Sequence, residues 1–123
     1  MLSDLAKAFE KLNASGIVAM QSVGFTMSDA WADVNEVATS RRPVPRGAVF
    51  FHEQDRRRAI AGDGLWLAFG AYEEDSRAQP AASRLIAAEV CETLEKYGIR
   101  ATWDGDLGTR IFLPPVARGR VRK

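Results

Sequence analysis

The run Leu65-Trp66-Leu67-Ala68-Phe69-Gly70-Ala71-Tyr72 does most to restrict the fold. It is apolar almost without interruption and bounded by Gly62-Asp63-Gly64 before it and Glu73-Glu74-Asp75-Ser76 after it. A strand of this kind has no wet face, so it belongs at the centre of a sheet, covered on both sides or on one side plus an interface. The chain must therefore supply flanking strands and helices that pack on them.

Those elements can be read on either side. Leu2, Leu5, Phe9 and Leu12 share one helical face over residues 2–14, and Gly16 is a natural stop. Ile17 to Met20 is a short strand. Thr26 with Asp29 has capping-box spacing, with Ser28 as a competing cap, and opens a helix over about 28–39. Ala30, Val34, Val37 and Trp31 face its core, and Asp29, Asp33 and Glu36 form an acidic stripe elsewhere. Two prolines and a glycine make 40–47 a loop. Ala48 to His52 is a strand, and Glu53 to Arg58 a short surface helical turn.

Pro80 begins the longest helix, about 80–97, with a stripe of Ala82, Ile86, Val90, Leu94 and Tyr97, Leu85 beside it and Gly98 at its end. Ile99 to Trp103 and Thr109 to Leu113 read as a hairpin around Asp104-Gly105-Asp106. The expected fold is α+β: a mostly antiparallel five-stranded sheet, helices packed on one face, order α-β-α-β-(short α)-β-α-β-β. At 123 residues this is one domain, over 1–117, followed by a basic disordered tail at 118–123.

Four blocks of the chain together resemble a bacterial domain family to which no activity is assigned. They are Gly16-Ile17-Val18-Ala19 with Gly24-Phe25-Thr26 and Ser28-Asp29; Phe50-Phe51-His52-Glu53-Gln54-Asp55; Gly62 to Gly70; and Trp103-Asp104-Gly105 with Arg110-Ile111. The resemblance covers about residues 16–113. Some members carry two cysteines near the positions of Val23 to Ser28, and this chain has none there. A thiolate metal site is therefore not implied. A fold-level likeness to small α+β chaperones of the type III secretion kind implies a binding role by analogy.

Charge and cysteine usage exclude several classes. Four of the 17 basic groups lie in the last six residues, which leaves 13 against 16 acidic ones in the body. A nucleic-acid binder is basic in its body, so nucleic acid is not an expected partner, even though Arg41, Arg42, Arg46 and Arg56 to Arg58 are clustered in sequence. Cys91 is alone and forms no internal disulfide. The start of the chain mixes charge into its apolar residues, and no run approaches the ~18 apolar residues that span a bilayer. A cytoplasmic location and no membrane contact are expected.

Candidate chemistry is sparse. His52, the sole histidine, is followed by Glu53 and Asp55, and with Asp29 or Asp33 these could hold a divalent metal and serve a hydrolase. His52, Asp55 and Asp29 are the metal-ligand candidates, and no other cofactor is expected. The simpler explanation makes Asp29 a helix cap and Glu53 and Asp55 partners of the following arginines. Asp104-Gly105-Asp106 lacks the later ligands of a calcium loop, and Gly62-Asp63-Gly64 is followed by no Gly-Lys-Ser/Thr. The apolar strands offer no lysine or arginine for a covalent or phosphate site. Absence of a catalytic constellation, with many aromatics on strands, favours a protein-binding module, homodimeric or bound to another protein. Trp66, Phe69, Tyr72 and Trp103 are the candidate interface.

Overall fold

The computed structural model describes residues 2–24 and 26–115. The basic residues 118–123, and the domain limit at 117, lie outside the described residues. Four helices and four strands alternate: α1 (Leu2–Ala14), β1 (Ile17–Met20), α2 (Met27–Ser40), β2 (Gly47–Phe50), α3 (Glu53–Ile60), β3 (Leu65–Ala71), α4 (Gln79–Lys96) and β4 (Ile111–Leu113). No described helix is long and apolar enough to cross a membrane.

The α+β class stands, and the sheet is mixed, in the order β1-β2-β3-β4. β3 is interior, paired antiparallel to β2 and to β4, as its unbroken apolarity requires. β1 and β2 run parallel, because α2 carries the chain from the end of one to the start of the other.

Two expectations are corrected. The sheet has four strands rather than five. The segment Ile99 to Trp103 contributes a single bridge, in which Thr102 and Phe112 exchange both backbone hydrogen bonds at 2.8 Å. Its continuation is drawn into a loop instead: the Trp103 indole N–H donates to the carbonyls of Asp106 and Thr109, and the Asp104 carboxylate accepts from the Asp106 N–H.

The helices also pack on both faces of the sheet, not one. Period-2 alternation explains this. Ile17, Ala19, Val49, Phe51, Leu65, Leu67, Ile111 and Leu113 point into a core shared with α1 and α4. Val18, Ala48, Phe50 and Ala68 point the other way, into a smaller core with Ala30, Val34 and Ala38 of α2. β1 and β2 are buried on both faces, so a helix on one side only would have left half of their side chains wet.

Leu5, Phe9 and Leu12 of α1 are buried as expected. In α4 the buried stripe is Ser83, Ile86, Ala87, Val90 and Leu94. Leu85 lies off it and is 71% exposed, because one residue turns 100° around a helix. Ser83 is buried for its hydroxyl, which accepts from the Ala71 N–H at 3.2 Å, while Gln79 donates to the Ala71 carbonyl at 2.8 Å. Gly47 is set by contact rather than conformation: a Cβ there would stand 2.7 Å from the Gly70 carbonyl and from the Ile86 side chain. Its bareness lets α4 seat on β2.

Both sheet edges are engaged. On the outer side of β1 the Asn13 side chain pairs with Ala19 like a fragment of strand, accepting from its N–H and donating to its carbonyl, each at 3.0 Å. Arg41 holds that amide oxygen from behind at 2.7 Å. At the other edge the backbone of Phe112 is taken by Thr102.

Candidate functional site

The polar centre of the molecule forms where β2 runs into α3. His52 is the N-cap of α3 in extended backbone. Its Nδ1 accepts from the Asp55 N–H at 3.2 Å, and the Asp55 carboxylate accepts from the His52 N–H at 3.3 Å. This is a capping box in which histidine replaces the usual hydroxyl and aspartate the usual glutamate. The same Nδ1 also stands 3.2 Å from the Asp55 carboxylate, so ring and carboxylate are in direct contact.

Asp55 is completely buried, and so must be paired. Arg110, which leads into β4, supplies the cation: its Nη1 donates to the two carboxylate oxygens at 3.1 and 3.3 Å. The arginine side chain is 33% exposed, so one end of the fork meets a buried anion while the side chain reaches the surface. Among the described residues no buried side-chain nitrogen or oxygen lacks a hydrogen-bond partner.

The structure thus brings His52 and Asp55 together, as a helix cap rather than as a chelate. Glu53 turns to Arg56 and Arg57 at 3.5 and 3.4 Å, long contacts that contribute little. Asp29 is exposed in the first turn of α2, where its N–H donates to the Thr26 hydroxyl at 3.1 Å. Asp33 is exposed on the same helix. Among the described residues no three His, Cys, Asp or Glu side chains are grouped so as to hold a metal ion. The arginines are spread over separate partners: Arg41 on Asn13, Arg46 on Glu89, Arg56 and Arg57 on Glu53.

Arg110, to which the sequence assigns no chemical role, stands just before β4 and not inside an apolar strand. The clue was available in Thr109-Arg110-Ile111-Phe112-Leu113, whose alternation puts Arg110 and Phe112 on one face, opposite buried Ile111 and Leu113. Which carboxylate it would meet was not readable, since Asp55 is 55 residues away.

The four interface candidates do not form one patch. Phe69 meets Trp103 edge-on, centroids 5.3 Å apart, and both pack against the α1/α4 core. Tyr72 packs against the α2 core and donates its hydroxyl to Asn35 at 2.8 Å; burial pushes its phenol up from the ordinary value. Trp66 is paired with Phe112, rings 4.6 Å apart, and the two join neither core among the described residues. Gly64 permits that pair, for a Cβ there would stand 2.6 Å from the Phe112 ring, and its φ of +86° suits glycine. The Cys91 thiol is held up first by burial and then by the Glu95 carboxylate, which is the opposite of nucleophile activation.

Of the hollows that flank this region, two lie against α2. One, of about 310 Å³, lies between α2 and the 104–110 loop and is lined by Met27, Trp31, Ala68, Leu107 and Arg110 among others. The second, about 690 Å³, lies between the C-terminal half of α2 and the end of β3, against Ala38, Val44, Pro45 and Tyr72.

The chain belongs to the family described as a domain of unknown function (DUF6891), whose model matches residues 3–121. The resemblance carried by the four sequence blocks is thereby shown, and over more of the chain than the blocks themselves span. No curated protein and no solved structure matches the chain.

Proposed function

We propose that this domain is a non-catalytic interaction module that pairs with a second copy of itself through the face bearing Trp66 and Phe112. The observation that carries the reading is the tilted Trp66–Phe112 pair, half-buried and outside both cores of a sheet otherwise packed on its two faces. Paired aromatics left at a surface are the usual anchors of a protein interface. The sheet edges support a face-on contact: Asn13 occupies Ala19 at one and Thr102 occupies Phe112 at the other, so strand addition has little free backbone to use. The reading also fits the polar centre, where the Asp55 carboxylate is taken up by the His52 N–H and by Arg110.

Light scattering on the purified chain at micromolar concentration is the test. The expected mass is that of a dimer. Trp66→Asp together with Phe112→Asp is expected to give a monomer with an unchanged far-ultraviolet spectrum. A wild-type chain that stays strictly monomeric over that range overturns the proposal.

A further inference from the structure

The cleft between α2 and the 104–110 loop combines a small floor, an apolar wall and a cation. Its floor is Ala68 of β3, small enough to leave room, and its apolar wall is Met27 and Trp31 of α2. Arg110 enters it as a fixed cation. Among the described residues only Nη1 of that guanidinium is engaged, by the buried Asp55, which leaves Nη2 and Nε of a partly exposed side chain as donors. A guanidinium clamped from behind loses little freedom when it binds an anion in front, and its planar edge matches the two oxygens of a carboxylate.

The surroundings choose among anions. Among the described residues no second lysine or arginine lines the cleft. Arg110 already carries the Asp55 carboxylate, so a singly charged carboxylate meets less repulsion there than a doubly charged phosphate. At about 310 Å³ the cleft is at the small end of ligand sites, the size of a compact molecule rather than a cofactor. The indole of Trp31, edge-on to Phe50 at 4.8 Å and so held in place, supplies a rigid apolar surface. We propose that this cleft binds a small monocarboxylate with a flat apolar body, Arg110 taking the carboxylate and Trp31 with Met27 taking the body.

The test is a nuclear magnetic resonance titration of the ¹⁵N-labelled full chain with 3-phenylpropionate, with 3-phenylpropionamide as its uncharged isostere, and with inorganic phosphate. Saturable shifts of the Trp31 indole and Arg110 Nε–H signals are expected with the carboxylate, at a Kd about tenfold below that of the amide. Arg110→Lys keeps a cation opposite Asp55 but loses the fork, and is expected to remove most of that preference. Leu107→Glu adds a charge at the rim without touching the Asp55 pair, and is expected to weaken the carboxylate more than the amide. Equal affinity for acid and amide, phosphate binding more tightly than the carboxylate, or an absence of saturable shifts at Trp31 and Arg110 would each overturn the proposal.

Discussion

Along β3, Leu65 and Leu67 point into one layer and Trp66 and Ala68 into the other, and the two layers are built differently. The layer under α1 and α4 is apolar and continuous across all four strands, from Ile17 and Val49 to Leu67 and Ile111. The layer under α2 starts apolar at Val18 and Phe50, narrows to Ala68, and then turns into Arg110, Trp66 and Phe112. One face stays apolar across the sheet; the other gives way to a charge and two half-buried rings. In the proposed reading the difference separates stability from recognition within a single sheet, and it can be broken or sharpened by substitution.

The largest effect is expected where the α2 layer turns polar, from Asp55→Ala. It strands Arg110 and removes the acceptor of the His52 N–H, a loss of about 3–5 kcal/mol by the usual cost of breaking a buried pair. Urea unfolding measures it. A loss below ~1 kcal/mol would mean that the pair is wet in solution and that the clamp on Arg110 is loose.

Adjacent residues of β3 test the contrast directly. Leu67→Ala empties a fully buried site and is expected to cost about 2–5 kcal/mol. Trp66→Ala, though it removes far more side chain, is expected to cost the monomer less than half as much, because its ring is half-buried and its main partner is Phe112. Its effect should appear in the mass of the particle instead. If Trp66→Ala destabilises as much as Leu67→Ala in the monomeric background, the two faces do not differ in the way described.

Asn13→Leu probes the closed edge. It removes both hydrogen bonds to Ala19 and is expected to cost about 1–2 kcal/mol, while exposing a strand edge. Faster aggregation on heating than in wild type is the second expected readout. A variant as soluble as wild type would show that Asn13 does not guard β1.

Much of this contrast could be read in the chain, and the parts that could not share a cause. Leu5, Phe9 and Leu12, the Thr26 cap and the interior place of β3 follow from spacing and local chemistry, and all appear as expected. Local rules fail where residues distant in sequence decide. Asn13 looks like an ordinary helix-end residue until β1 lies beside it. His52 reads as a ligand because Asp55 follows it, but Arg110 is what turns that pair inward. Ile99 to Trp103 has the alternation of a strand, yet a loop that satisfies its own polar groups shortens it to one bridge.

The smallest expected effect belongs to the loop that walls the cleft. Asp104 is held below its ordinary value of 3.8, first by the Thr109 hydroxyl and then by the Asp106 N–H. A carboxyl with a depressed folded value contributes its stabilisation above the unfolded value, and that contribution is lost as pH falls through the folded one. Asp104→Asn should therefore differ from wild type in melting temperature by a small, constant amount from neutral pH down to about pH 5, and the difference should fade as the pH drops below the ordinary carboxylate range. The group is fully exposed, so solvent screening keeps the shift small. The fluorescence of Trp103, whose indole N–H is bonded inside the same loop, gives a local readout over the same range. A difference that instead grows on acidification would mean that the loop is ordered by something other than the Asp104 carboxylate, and the wall of the cleft would need another explanation.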